Sequence, residues 1–157
     1  MIEFRRSVIP DIAYIVDDIR KGDYEEIKAL GSDPTEALFH GLVHSEAMTV
    51  TEDGHPVVIY GVVQEDTGGR IWLIGNNRLN RLSLRFCKES RQRVQDYLEE
   101  YKYLYNIVDS RNVATIKWLR WLGFVIGREF KYGPEGQLFK EFYQCQYLKH
   151  SPLPVRL

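Results

Sequence analysis

The stretch Tyr105–Phe124, YNIVDSRNVATIKWLRWLGF, constrains the fold of this chain more than any other. Leu104, Tyr105, Ile107 and Val108 form a short apolar run rich in β-branched residues, which suits a buried strand. Asp109, Ser110 and Asn112 follow, with side chains that favour turns and helix N-caps. From Val113 the apolar residues recur at Ile116, Leu119 and Leu122, flanked by Trp118 and Trp121, at helical spacing. Gly123 stands where a left-handed C-cap is wanted, and Phe124 opens another strand. The passage therefore predicts strand, turn, three-turn helix and strand.

The elements around it come in an informative order. Ile2–Val8 alternates as a first strand, and Pro10-Asp11 suits a helix start. Ile12, Ile15, Val16 and Ile19 share one helical face; that helix runs on or breaks near Gly22 and ends by Gly31. A second helix starts at Ser32-Asp33-Pro34, with Leu38, Leu42 and Val43 turned inward. Ala47–Thr51 and Pro56–Gln64 read as strands joined across an Asp53-Gly54 hairpin, and Arg70–Ile74 as the next. A long helix is expected over Leu79–Tyr101, its inner face set by Leu79, Leu82, Phe86, Val94, Leu98 and Tyr101. Phe124–Lys131 and Gln137–Leu148 close the fold, the last strand carrying Tyr143, Cys145 and Tyr147 on one face and Gln144 and Gln146 on the other. With 157 residues this makes one domain, expected over residues 1–148, with an irregular tail over 149–157.

Strand, two helices, three strands, long helix, strand, helix and two strands resembles the GNAT N-acetyltransferase superfamily. A turn asparagine, one short helix and then Gly-Phe resembles its C-terminal half. The resemblance spans residues 2–148 in element order and implies an α/β (α+β) fold: a mixed, largely antiparallel twisted sheet ordered β-α-α-β-β-β-α-β-α-β-β. It further implies that the fourth and fifth strands splay apart around acyl-CoA, with the cofactor's pyrophosphate on backbone amides at the start of the long helix. A helix start offers unpaired N–H groups and about half a positive charge. Carried onto this chain, that site falls on Ile74, Gly75, Asn76, Asn77, Arg78 and Arg81, with Asn112 positioning the cofactor from the later turn.

The motif residues depart from the family's. Its turn is commonly Gln or Arg, two residues, Gly, one residue, Gly or Ala, whereas this chain reads Gly75-Asn76-Asn77-Arg78-Leu79-Asn80-Arg81. Asparagine tolerates positive φ, so Asn76 and Asn77 could form an anion nest and Asn77 or Asn80 a cap, but side chains at these positions would crowd a pyrophosphate. Many relatives place an acidic tyrosine about four residues before Gly-Phe; here that residue is Leu119. Many use a glutamate on the fourth strand as base; Arg70–Ile74 contains no carboxylate. General acid–base help is typically worth about 10²–10⁴-fold, so its absence weakens acyl transfer without abolishing it. No catalytic residue is therefore assigned.

Other constellations have plainer readings. Arg78, Arg81, Arg85 and Lys88 stripe the long helix at three- and four-residue steps. A solvated face is the default, but cations in a first turn oppose the helix dipole by about 0.3–1 kcal/mol each, and Asp96, Glu99 and Glu100 crowd the other end. Such a stripe could take a phosphate, a nucleic-acid backbone or an acidic protein, nucleic acid being the weaker option given a net charge of −1. Glu36, His40 and His44 share a helical face but lack the companion ligands of a zinc site. Cys87 and Cys145 read as small core fillers in a reducing compartment, and no run suits a membrane span or signal peptide.

A narrower resemblance lies in Leu104-Tyr105-Asn106-Ile107-Val108, Asn112, Ile116, Leu119 and Gly123, then Glu129-Phe130 and Gly136-Gln137-Leu138-Phe139. These residues are similar to the internal virion protein A family of short-tailed phages, which also has leucine in place of the tyrosine. It implies a protein made in the cytoplasm of an infected bacterium, used around head or internal-core assembly or against a host factor, and located there or in the virion interior. Two functions stand. The first is a binding protein in virion morphogenesis, with phage structural or host proteins as partners and no cofactor. The second is an acetyl-CoA-dependent N-acetyltransferase acting on a primary amine, in which Tyr132 or a neighbour replaces the missing acid.

Overall fold

The computed structural model describes residues 1–81 and 84–146. A seven-stranded sheet runs in the order β1-β2-β3-β4-β5-β7-β6, from β1 (Ile2–Arg6), β2 (Met48–Glu52), β3 (His55–Glu65), β4 (Gly68–Gly75), β5 (Tyr103–Asp109), β6 (Val125–Tyr132) and β7 (Gln137–Cys145). Every neighbouring pair is antiparallel except β4 and β5, which are parallel. The sheet is thus the mixed, largely antiparallel one expected.

Helices cover both faces. Helices α1 (Ile9–Asp17), α2 (Lys21–Ala29) and α3 (Pro34–His44) pack Ile12, Ile15, Ile27 and Leu38 onto Ile59 and Ile74. On the other face α4 (Leu84–Tyr101) and α5 (Val113–Trp121) pack Val94, Leu98, Ile116 and Leu119 onto Val62, Leu104, Val108 and Phe142. Three helices, rather than two, precede β2. The chain leaves helical geometry at Asp18–Arg20 because Ile19 bridges to Asn76 and the Arg20 N–H donates to the Gly75 carbonyl at 3.1 Å. Strand-like pairing with the end of β4 thus interrupts one amphipathic run.

Asp11 seats α1. Its carboxylate accepts from Arg5 Nη1 and Nη2 at 2.8 Å each, from Thr49 Oγ1 at 2.8 Å and from the Val8 N–H at 3.0 Å. Burial alone would raise this carboxyl, but the donations from Arg5, Val8 and Thr49 together hold it below the usual carboxylate range.

Some expectations need correction. The long helix does not start at Leu79: Asn77–Arg81 is a 3-10 turn and the α-helix runs from Leu84. Of its expected inner face, Phe86, Val94 and Leu98 are buried, Tyr101 is half-buried and Leu82 lies outside the described residues. Val43 points to solvent at 67% exposure, because Leu38 and Gly41 already fill the face of α3 toward the sheet. In β7 the expected alternation holds: Phe142 and Gln144 are buried on one face, and Phe139 is buried on the other, where Tyr143 and Cys145 are half-buried. Phe142 packs edge-on against Phe124 at 5.2 Å. Tyr147 and the expected tail lie outside the described residues. Gly123 has φ 100°, the left-handed C-cap that the Gly-Phe pair predicts. Among the described residues no helix is long and apolar enough to cross a membrane.

Candidate functional site

The two parallel strands meet only at their first residues, Gly69 opposite Leu104 and Arg70 opposite Tyr105. Beyond them the strands part, and the Asn106 amide spans the start of the gap to the Ile71 carbonyl at 2.7 Å. A cavity of about 680 Å³ occupies the divergence, walled from both faces of the sheet by residues such as Trp72, Ile74, Phe86, Trp118 and Leu119, with Glu26 and Asp23 also in its lining. The walls are mainly apolar.

Helix α2 lies across the wide end of the gap and ties its two sides together. Asp23 Oδ2 accepts from the Gly75 N–H, at the end of β4, at 2.9 Å. Glu26 Oε1 accepts from the Asp109 N–H, at the end of β5, at 2.7 Å. Asp23 is itself clamped by Arg20 Nε and Nη2 at 3.0 Å each, and Asn112 Nδ2 reaches it at 3.4 Å. The helix can approach this closely because residue 22 is glycine: a Cβ there would stand 2.6 Å from Asn112 Oδ1.

The two carboxylates differ in surroundings. Glu26 is half-buried as a residue, but its carboxyl is deeply enclosed, and its pKa is pushed up to about 8. Burial is the main cause, the Asp109 N–H works against it, the Asp23 and Asp109 charges add to it, and Arg20 pulls it back. Asp109 is buried and held by its own turn, accepting from the Arg111 N–H at 2.9 Å and from Arg111 Nε at 3.1 Å and Nη2 at 2.8 Å.

The sequence-predicted cofactor residues cluster beside this helix, and their backbone donors are already engaged. The Gly75 N–H donates to Asp23, Asn76 N–H to the Val57 carbonyl at 3.0 Å, and Asn77 N–H to the Asp18 carbonyl at 3.0 Å. The Arg78 N–H donates to Asn76 Oδ1 at 3.1 Å and the Leu79 N–H to the Asn76 carbonyl at 3.0 Å. Five consecutive amides therefore have acceptors inside the chain. The Asn77 side chain binds the Asp18 carboxylate at 2.8 Å and the Asn76 side chain the Pro56 carbonyl at 2.8 Å, so neither asparagine caps α4. Ile74 lines the cavity, Arg78 and Arg81 are exposed on the 3-10 turn, and Asn112 is buried against α2 without capping α5. Across α4 and α5 the Phe86 and Trp118 rings stack at 6.1 Å, with Phe4 behind Phe86 at 6.3 Å.

The remaining candidates fall elsewhere. Leu119 is a cavity wall, and Tyr132 stands at the cavity edge against Phe130 and Phe139. The rings of His40 and His44 lie 4.2 Å apart, but among the described residues no three metal-binding side chains gather. Cys87 and Cys145 are half-buried free thiols.

Sequence reasoning missed Asp23 and Glu26. Within KGDYEEIKA they read as a solvated helical face. The available signal was Asp23 one turn before Ile27, the lone large aliphatic residue of that helix and a core residue, which places the carboxylate on the buried side.

Comparison with known proteins places this geometry in two contexts. Solved structures of GNAT acetyltransferases superpose over nearly the whole chain. One from Chromobacterium violaceum gives a TM-score of 0.70 at 15% identity, covering 96% of this chain and 90% of that one. One from Bacillus anthracis gives 0.69 at 9%, covering 93% and 95%. The spermidine N-acetyltransferase of Vibrio cholerae, solved with CoA and spermine, gives 0.64 at 15%, covering 93% and 96%. At these identities the likeness is one of fold. In sequence, the chain is 30% identical over 121 residues to the probable scaffold protein gp13 of Escherichia phage T7, covering 74% of this chain and 81% of that protein. The family profile described as "Bacteriophage T7, probable scaffold protein Gp13" matches residues 46–131. The chain belongs to this Gp13 family of phage proteins, built on a GNAT fold.

Proposed function

We propose that this chain works by binding, in virion morphogenesis or on a host factor, on an acetyltransferase scaffold whose expected diphosphate turn is tied down by Asp18 and Asp23. One observation carries the reading: the amides of residues 75–79, onto which the resemblance carries the diphosphate site, are all paired within the chain, and the α-helix itself starts only at Leu84. An anion nest needs N–H groups that point outward without a partner. Here the Asp18 and Asp23 carboxylates stand at that position instead and would repel phosphate. The Phe86–Trp118 stack bridges α4 and α5 as one wall of the cavity. The paired amides of residues 75–79 do not fit a diphosphate, and no step through acetyl-CoA is derived. Kinship with a probable scaffold protein supports phage structural proteins as partners, in the infected cell or the virion interior.

A second reading rests on Glu26. A largely protonated carboxyl beside a through-sheet cavity has the acid–base character that acyl transfer to a primary amine would use. It would require α2 to withdraw from the gap.

Thermal melting with acetyl-CoA and with CoA separates the two. A ligand at a hundred times its dissociation constant adds about 2.7 kcal/mol; the binding reading expects no shift at millimolar concentrations. A clear rise in melting temperature with either ligand would reject it.

A further inference from the structure

Helix α4 is charged against its own dipole, with Arg85 and Lys88 near its start and Asp96, Glu99 and Glu100 near its end. As an isolated arrangement each such charge is unfavourable. At 100° per residue, Arg85, Lys88, Gln92, Asp96 and Glu99 fall in one narrow stripe, and all five are exposed. The stripe lies opposite the buried row Phe86, Val94 and Leu98, so it forms the outermost ridge of the helix.

The order of charges along this ridge is self-complementary. Its members are separated by three, four, four and three residues, symmetric about Gln92. Laid antiparallel on a second α4 with the two-fold axis at Gln92, Arg85 faces the other copy's Glu99 and Lys88 its Asp96. Each charge occurs twice, so the pairing yields four opposite-charge contacts over about 21 Å of helix, with Gln92 against Gln92 between them. The opposed dipoles of the two helices also align favourably. A two-fold contact demands this kind of self-matching patch.

Within one chain the ridge is only partly satisfied. Arg85 Nε contacts Glu89 at 3.0 Å and Gln92 Nε2 contacts Asp96 at 3.0 Å, while Lys88 and Glu99 have no partner among the described residues. Flanking groups do not spoil the match. Glu89 would face a neutral Gln95, and Arg91 is held away on the Trp121 ring and carbonyl.

We infer that α4 is a self-association surface: a second copy of this chain docks antiparallel on the ridge Arg85, Lys88, Gln92, Asp96 and Glu99. The contact is polar and narrow, so it is weak and salt-sensitive, of a kind that tightens where many copies gather.

Sedimentation velocity on the full chain tests this. The wild type should dimerise with rising concentration at about 50 mM salt and lose the dimer at about 500 mM, where the screening length falls to a few ångströms. The charge-reversed pairs R85E/K88E and D96K/E99K should each weaken self-association by about tenfold or more. Mixing the two variants, or combining all four changes in one chain, should restore it. All positions are exposed, and melting of each variant checks that it folds. A wild type that stays monomeric at low salt overturns the inference. So do double variants that associate as well as the wild type, which would put the contact elsewhere. A wild type that binds heparin or duplex DNA through Arg85 and Lys88 but never pairs with itself would assign the ridge to polyanions instead.

Discussion

Asp11 and Glu26 are carboxyl groups placed one helix apart, each fastening an N-terminal helix to the sheet, yet their electrostatics run in opposite directions. Asp11 collects four donations, two of them from a guanidinium, and its charge is stabilised in spite of burial. Glu26 receives a single amide N–H and sits near two other carboxylates, so its neutral form is favoured. Burial opposes the charge at both sites and is more complete around the Glu26 carboxyl; deeper enclosure together with fewer and weaker donors decides the outcome. The first site is a closed structural joint. The second lines a cavity with one backbone amide as its donor.

The contrast breaks most visibly on mutation at the first joint. Asp11→Ala leaves Arg5 and Thr49 without their acceptor and the Val8 N–H uncapped. It should cost about 2–3 kcal/mol, discounted from a fully buried pair because Arg5 is partly exposed. Urea denaturation at neutral pH measures this; a loss below about 1 kcal/mol would remove Asp11 from its assigned role. Because the folded pKa of Asp11 lies below its unfolded value, its contribution is present above the unfolded pKa of 3.8 and fades as pH falls through the folded one.

Glu26 carries the opposite sign. Its folded pKa exceeds the unfolded value of 4.5, so the folded chain binds the extra proton between pH 4.5 and about 8. Stability should therefore drop as pH rises across that window. Glu26→Gln keeps an acceptor for the Asp109 N–H without the charge. It should flatten the dependence and exceed the wild type by on the order of 2 kcal/mol at pH 8. Parallel pH–melting curves for the two proteins would show that Glu26 is not the group titrating.

Asp23→Ala tests the other half of the α2 joint. It unpairs the buried Gly75 N–H and the Arg20 guanidinium, with an expected loss of about 1–3 kcal/mol. Hydrogen exchange at Gly75 should rise more than at Asp109; equal protection at Gly75 before and after would mean another group holds that amide.

The smallest effect is the sharpest about packing. Replacing a helical glycine by alanine ordinarily gains about 1 kcal/mol. At Gly22 that gain should vanish or reverse, since the new methyl meets the Asn112 amide. A variant stabilised by the full amount would show that α2 does not press against Asn112.

Legibility in the sequence followed the range of the interactions. The strand–turn–helix over 105–124 was readable because its signals are local: β-branched run, turn polar residues, helical period and the glycine at positive φ. The three-helix start was less so, because the break at Asp18–Arg20 comes from pairing with residues 75 and 76 rather than from a helix breaker. The alternation of β7 was readable from its period, but not that Gln144 would be buried beside Gly123, since a glutamine's burial depends on what packs over it.

The sequence by itself determined the order of elements and the GNAT-like sheet, since each depends on residue type at short spacing. The tertiary structure alone decided what ties together the parted ends of β4 and β5. Asp23 finds its amide 52 residues away and Glu26 83 residues away, and no periodic pattern encodes which buried donor a carboxylate will meet. Hydrogen-bond demand of parted strand ends, met by whichever acceptor the chain brings near, makes that choice.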